Sequence, residues 1–192
     1  MSKSSYFTLA SALDIDEISQ LELSSFPADE SASPETILDR QQNAGKYFVV
    51  AKDEQSGAIT GFINGTCIEG SCITHESMLE HHPNGNSLVI HSVTVSPLSR
   101  RGGLGSKMLM WYVALIAREC TEICKILLLS KAYLLHFYVS CGFRLIGLSS
   151  VEHGNVREDL YNGQITYKVM ILYLLLQKID NELYDVNAGK LV

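Results

Sequence analysis

The stretch Val93-Thr94-Val95-Ser96-Pro97-Leu98-Ser99-Arg100-Arg101-Gly102-Gly103-Leu104-Gly105-Ser106 decides how the chain is read. An apolar strand runs into a polar turn, then an Arg-Arg-Gly-Gly-Leu-Gly run, then a long helix pattern beginning near Leu104. Glycines at a strand-to-helix turn let backbone approach a ligand closely, and the first amides of the new helix have no intrahelical acceptors. Those N–H groups and the positive end of the helix dipole form an anion site. Arg100 and Arg101 add fixed positive charge, so a phosphate or pyrophosphate is the expected ligand. The glycines are followed by no Lys-Ser/Thr pair and form no G-x-G-x-x-G, which separates the turn from a P-loop and from a dinucleotide fingerprint. Taken by itself, the same run also reads as a basic turn capping a helix.

Composition narrows the class. The 192 residues suffice for a core without metals or disulfides, and 46% hydrophobic with 19% charged residues suits a globular chain. One domain spanning 1–192 is the expected organisation. Net charge is −6, and Arg100-Arg101 is the one basic run, which argues against a nucleic-acid partner. The segment from Met1 to Tyr6 leads into no apolar stretch and does not read as a signal peptide. The longest apolar run, Val169 to Leu176, is too short to span a bilayer and reads as a buried strand, so no membrane partner is expected. The five cysteines form no C-x-x-C pair; reduced, buried thiols in a cytoplasmic, monomeric protein are expected.

The pattern along the chain alternates strands and helices. Tyr6 to Ala10 reads as a strand, a helix opens at Asp14 to Ile18 with Asp14 as cap, and Ser24 to Ser33 reads as a loop. Ser33 caps a second helix with Pro34 in its first position. Tyr47 to Ala51 and Ile59 to Thr66 are strands around an Asp53–Gly57 turn, and Cys67 to Asn86 is a long polar loop. Ser87 to Val95 is apolar on both faces and therefore central. Leu104, Met108, Trp111, Tyr112, Leu115 and Ile116 mark a buried helix. Ile126 to Leu129 (strand), Ala132 to Val139 (helix closed by Gly142), Arg144 to Leu148 and Thr166 to Leu176 (strands) follow. The order β-α-α-β-β-β-α-β-α-β-β predicts an α/β domain with helices covering a mixed sheet.

Arg100-x-x-Gly103-x-Gly105 resembles the acetyl-CoA pyrophosphate signature of the GNAT (Gcn5-related) N-acetyltransferase superfamily. Downstream, Ala132-Tyr133-Leu134-Leu135-His136-Phe137-Tyr138-Val139-Ser140-Cys141-Gly142-Phe143 is similar to that superfamily's tyrosine-bearing helix followed by Gly-Phe. The resemblance implies the acyl-CoA N-acyltransferase fold: a mixed, mostly antiparallel sheet with helices on both faces. A narrower resemblance, to the arylalkylamine (serotonin) N-acetyltransferases, rests on Thr74-His75-Glu76-Ser77, His81-His82-Pro83-Asn84-Gly85 and His91. Phe26, with Pro34 beyond it, is similar to that family's mobile substrate loop, and Thr166-Tyr167 to a late strand that presents an aromatic to the amine. Where the vertebrate strand carries two histidines, this chain has Val89 and His91, and the flanking vertebrate phosphorylation sites are absent, so the resemblance is to a non-vertebrate type.

The resemblance implies site roles, each beside a plainer structural alternative. His91 is the expected proton acceptor, since imidazole titrates in the useful range; the alternative is a hydrogen-bonded histidine in a central strand. Tyr138 is expected to protonate the leaving coenzyme A thiolate; the alternative is a core aromatic on the surface of Leu134 and Leu135. Val93, Thr94 and Val95 are expected to bind the pantetheine arm through backbone groups, and Arg101, Gly102, Gly103, Leu104, Gly105 and Ser106 the pyrophosphate. Phe26, Pro34 and Tyr167 are expected to wall the amine site, although scattered aromatics also serve packing. Glu76, His81 and His82 match no zinc spacing, so no metal is expected, and Cys141 has no base paired with it in the sequence that would make it an acyl carrier.

The expected activity is acetyl-CoA-dependent N-acetylation of a small primary amine, an arylalkylamine such as serotonin or tryptamine, by direct attack in a ternary complex. Asp29 and Glu30 in the substrate loop keep a polyamine or protein-amine acetyltransferase open as the second reading. A non-catalytic acyl-CoA-binding module is the third.

Overall fold

Alternating burial along the strands builds the molecule. In the computed structural model, Phe48 and Val50 pack on one side of their strand and Val49 and Ala51 on the other, all fully buried. The sheet is therefore covered on both faces. The structure describes residues 4–149 and, beyond them, the backbone of five strands at 160–161, 164–165, 169–175, 184–185 and 190–191.

In chain order the elements are β1 (Ser5–Leu9), α1 (Ile15–Ser25), α2 (Pro34–Ala44), β2 (Phe48–Asp53), β3 (Ile59–Ile68), β4 (Ser87–Val95), α3 (Leu104–Glu119), β5 (Lys125–Lys131), α4 (Leu135–Ser140) and β6 (Arg144–Leu148). A two-residue ribbon pairs β7 (Leu160–Tyr161) with β8 (Gln164–Ile165), β9 (Val169–Leu175) follows, and β10 (Tyr184–Asp185) pairs with β11 (Lys190–Leu191). The main sheet has seven strands in the order β1-β2-β3-β4-β5-β9-β6. Within it, among the described residues, β4 and β5 form the parallel pair and the remaining pairs are antiparallel. A parallel pair requires a crossover, and α3 supplies it.

The helices divide between the faces. Met108, Leu109, Tyr112 and Ile116 of α3 and Tyr138 of α4 join Val49, Ile63, Leu88, Ile90, Ile126 and Leu128 in one cluster. Each of these buried side chains contributes roughly 1.5–3 kcal/mol. Ile15, Ile18 and Leu21 of α1 and Ile37 of α2 meet Phe48, Val50, Ile59 and Phe62 on the opposite face. Beyond the reach of α1 and α2, Ile73 and Met78 of the long 69–86 loop cover Ile68, Val89, Leu127 and Leu129.

Local chemistry differs from expectation at two places. Asp14 does not cap α1 through its side chain. Its carboxylate instead accepts the Ser11 N–H and hydroxyl (2.8 Å each) in a capping box on the preceding 3-10 turn, and Lys52 reaches it from β2 at 2.6 Å. The segment expected as one helix from Ala132 to Val139 begins as a 3-10 turn at Ala132–Leu134 before α4. The closing glycine is as expected: Gly142 sits at φ 94° and donates to Val139 at 3.0 Å.

Candidate active site

The glycine turn grows out of β4. The Ser96 N–H donates to Thr60 O at 2.8 Å, which holds the strand end against β3, and Ser99 donates back to Ser96 O. Arg100 then folds back, its Nε donating to Val95 O at 2.8 Å. Arg101 takes a left-handed conformation at φ 66°, a strain of about 1–2 kcal/mol for a residue with a Cβ. Gly103, at φ 81°, is the residue before α3. Lys107 makes the first intrahelical bond, to Gly103 O at 3.1 Å, so the amides of Leu104, Gly105 and Ser106 lie exposed to an incoming anion, as in any first helical turn. A Cβ built on Gly105 would meet only ordinary contacts, Val95 Cγ2 at 3.4 Å and Phe137 beyond it. Internal packing therefore does not require glycine there.

Beside this turn the sheet opens. β4 and β5 pair from Ser87↔Lys125 to Ile90↔Leu128 and then part. Into the gap runs a cleft of about 750 Å³ whose walls include His91, Val93, Thr94 and Val95 from β4 and Leu129, Ser130 and Lys131 from β5. Arg100, Arg101, Gly103, Leu104, Gly105, Ser106 and Tyr138 line the same cleft. The expected phosphate turn, strand backbone, histidine and tyrosine thus converge on one space, with Gly102 between the lining residues of the turn.

A register shift falls at His91. Asn64 pairs with Ser92 and Gly65 with Ile90, so His91 is the extra residue of a β-bulge. Its Nε2 lies 2.7 Å from Thr66 Oγ1. Ser92, the next residue, reaches Glu22 of α1 at 3.2 Å. Both side chains therefore point toward the α1/α2 face, whereas Val93 and Val95 pack against the α3/α4 cluster.

Tyr138 is 7% exposed, with its ring edge-on to Phe137 (4.9 Å between centroids) and Phe143 (5.9 Å). Burial drives the phenol well above its usual value, so it keeps its proton near neutral pH. The ring is packed in the core, as the structural alternative has it, and the residue also lines the cleft.

On the α1/α2 side the cleft is walled by Glu22, Ser25, Phe26, Pro27 and Glu30. Lys131 of β5 bridges to Glu30 at 2.5 Å, tying the loop after α1 across the cleft. Phe26 lines the cleft. Pro34 lies outside the lining: it is exposed, in the first turn of α2, where Ser33 Oγ accepts the Thr36 N–H at 3.2 Å. Its φ preference suits a helix start, and Pro27 is the proline beside Phe26 in the cleft wall. Tyr167 lies outside the described residues.

Glu22 is among the lining residues, with Ser25, Pro27, Ser130 and Lys131, that no motif marks. It is 2% exposed and falls in the stripe of Ile15, Ile18 and Leu21. One carboxylate oxygen accepts the Ala32 N–H (3.1 Å) and the Ser92 hydroxyl (3.2 Å). Burial raises its pKa, opposed by those hydrogen bonds, by the Arg40 guanidinium and by the nearby Thr94 hydroxyl. Arg40, itself lowered to about 10 by burial, stays charged at neutral pH and donates to Asn64 at 3.4 Å. An acidic residue in the apolar stripe of an amphipathic helix was the available signal.

Residues 15–143 match the family profile described as Acetyltransferase (GNAT) family. The chain belongs to this family of acyltransferases. A curated relative, serotonin N-acetyltransferase of Mesocricetus auratus, is 26% identical over 102 residues, 53% of this chain and 49% of the relative. The match thus spans about half the relative's length. Among solved structures, the GphF GNAT-like decarboxylase in complex with isobutyryl-CoA superposes with a TM-score of 0.72 at 21% identity, covering 90% of this chain and 100% of that one. YncA from Salmonella typhimurium, solved with its cofactor acetyl-CoA, superposes with a TM-score of 0.63 at 15% identity, covering 92% and 96%. At these identities the superpositions establish the fold, which is the GNAT fold expected from the motifs.

In this GNAT chain the 69–86 loop is held by local hydrogen bonds. Thr74 and Ser77 exchange bonds (Thr74 N to Ser77 Oγ 2.8 Å, Ser77 N to Thr74 Oγ1 3.1 Å), and Glu76 accepts from the Thr74 hydroxyl at 3.4 Å. His81 Nδ1 accepts the Cys67 N–H at 3.1 Å while the His82 N–H donates to Cys67 O at 2.9 Å, which clamps the loop onto the end of β3. A Cβ on Gly85 would lie 2.4 Å from Ile68 O, so the backbones approach too closely for any side chain. The two histidines and the glycine of the motif therefore have structural partners, and neither histidine lines the cleft.

Proposed function

We propose that the protein is an acetyl-CoA-dependent N-acetyltransferase of small primary amines, with arylalkylamines such as serotonin or tryptamine as preferred acceptors. The observation that carries this reading is the fork: beyond Ile90 and Leu128 the sheet is open between β4 and β5. A donor bound on the α3/α4 face and an acceptor entering from the α1/α2 face meet at the backbone of 91–95. The turn at 101–106 holds the pyrophosphate through its amides, and the unpaired edge of β4 receives the pantetheine arm and the thioester.

Most of the acceleration comes from holding the amine against the thioester carbonyl. The amine attacks directly, its nitrogen forms the amide bond as the carbon–sulfur bond breaks, and no acetyl-enzyme forms. His91 accepts the proton that the nitrogen gives up, its ring orientation fixed by Thr66. Tyr138, kept protonated by burial, donates to the departing thiolate.

Phe26 and Pro27 favour an apolar ring at the acceptor end. A polyamine would need several carboxylates along the groove; of the lining pair Glu22 and Glu30, Glu30 is engaged by Lys131, which ranks that reading second. Specificity constants for tryptamine, phenethylamine, spermine and spermidine, measured on the wild type and on Phe26→Ala, test the proposal. Aromatic amines are expected to lead and to be weakened selectively by Phe26→Ala; preference for spermine with no effect of the substitution would replace it with the polyamine reading.

A further inference from the structure

Three buried polar atoms at the α1/α2 end of the cleft make no hydrogen bond among the described residues: Glu22 Oε2, Ser25 Oγ and Thr94 Oγ1. All three residues line the cleft, and Glu22 and Thr94 are 2% and 3% exposed. Buried polar atoms are ordinarily paired, and leaving one unpaired costs about 1–3 kcal/mol. A cluster of them facing one space points to a group that enters that space.

The chemistry of the cluster selects the group. A carboxylate oxygen is an acceptor only, and hydroxyl oxygens accept as readily as they donate; an alkylammonium carries three donors and one positive charge. The Thr94 hydroxyl lies near enough to the Glu22 carboxylate to help lower its pKa, so the two form one polar patch, short of a well-formed hydrogen bond, and the other internal partners are committed elsewhere. Glu22 Oε1 takes Ala32 N–H and the Ser92 hydroxyl, and the Arg40 hydrogen bond goes to Asn64. No ion pair between Arg40 and Glu22 forms among the described residues; the guanidinium opposes the burial that raises the Glu22 pKa without occupying the carboxylate. The position is also correct for an acceptor: Ser92, which grips Glu22, follows His91 directly in β4.

We propose that the Glu22 carboxylate, with Thr94 Oγ1 and Ser25 Oγ, receives the substrate's ammonium group and sets the enzyme's preference for cationic amines. This rests on the amine-acetyltransferase reading and adds the residues that recognise the reacting nitrogen. The alternative is a purely structural role for Glu22 as a strut between α1, Ala32 and β4.

Glu22→Gln separates the two roles, because its amide oxygen keeps both bonds made by Oε1 while the charge is removed. The expected result is a tryptamine KM raised about tenfold or more, from a charge-assisted hydrogen bond lost. The inhibition constant of the neutral product N-acetyltryptamine and the acetyl-CoA Kd should stay within about twofold of wild type, as neither carries the ammonium that Glu22 binds. Thr94→Val, which retains shape and backbone, should raise the amine KM severalfold in the same direction and decides the matter if Glu22→Gln does not fold. A wild-type tryptamine KM in folded Glu22→Gln, or equal weakening of amine and neutral product, overturns the proposal. Wild-type protein that acetylates no amine would instead refute the function reading itself.

Discussion

His91 Nε2 lies 2.7 Å from Thr66 Oγ1 on the α1/α2 face, at a bulge between Gly65 and Asn64 in the β3–β4 register. Regular alternation would have kept His91 on one face with both Val89 and Val93. Across the bulge those valines part: Val89 packs under the 69–86 loop and Val93 against the α3/α4 cluster. The histidine thus faces the side proposed for acceptor entry.

His91→Gln should therefore lower kcat/KM for amines by roughly tenfold to a hundredfold near neutral pH, the lower range of a positioned base. An alkylammonium has a reference pKa of about 10.4, so raising the pH supplies free amine and should partly restore the variant. A pH–rate profile identical to wild type would make His91 a structural partner of Thr66 only.

Tyr138→Phe keeps the ring between Phe137 and Phe143 and deletes only the hydroxyl. Turnover should fall about 10²-fold or more while calorimetric acetyl-CoA affinity is retained. Unchanged kcat would assign Tyr138 to the core alone.

Gly105→Ala and Gly105→Asp divide fold from binding at the turn. The alanine Cβ meets only ordinary contacts, at 3.4 Å from Val95 Cγ2, so this variant should fold normally. The aspartate brings a carboxylate to the amides meant for an anion and should weaken acetyl-CoA by about tenfold or more. Equal calorimetric Kd values for the two folded variants and wild type would remove the phosphate site from this turn.

Stability should depend on pH through His81. Burial holds its imidazole below the ordinary value of 6.5, and the neutral ring accepts the Cys67 N–H. Above 6.5 the ring is neutral folded or unfolded, and the full stability is present. As pH falls below that value the unfolded chain binds the proton first, so stability declines until the folded pKa is passed. Urea midpoints should drop between pH 7.5 and pH 5.5, about one unit either side of a histidine's reference value. His81→Phe should start lower, by about 1–3 kcal/mol for the unpaired amide, and lose part of this slope. An unchanged slope in His81→Phe would contradict the assignment.

Much of this was legible where local chemistry acts alone. The strand, glycine turn and helix from Val93 to Ser106 carry their own signals, as do Ser33-Pro34 at the start of α2 and Gly142 at the end of α4. Tertiary choices were not legible. No residue type marks a bulge, so the facing of His91 could not be read. Pro34 suits a helix start and a substrate wall equally on paper, and only the fold separates them. β9 inserts between β5 and β6, a pairing that chain order does not indicate. Glu22 stood in an apolar stripe as an anomaly whose partners, Ala32 and Ser92, come from other elements.

The central claim is that donor and acceptor meet across the fork in one complex. Initial rates of thiol release, with acetyl-CoA and tryptamine varied together, test it most directly. A ternary complex gives release that requires the amine and double-reciprocal lines that intersect. Parallel lines, or no amine-dependent release with any amine of the panel, would contradict it.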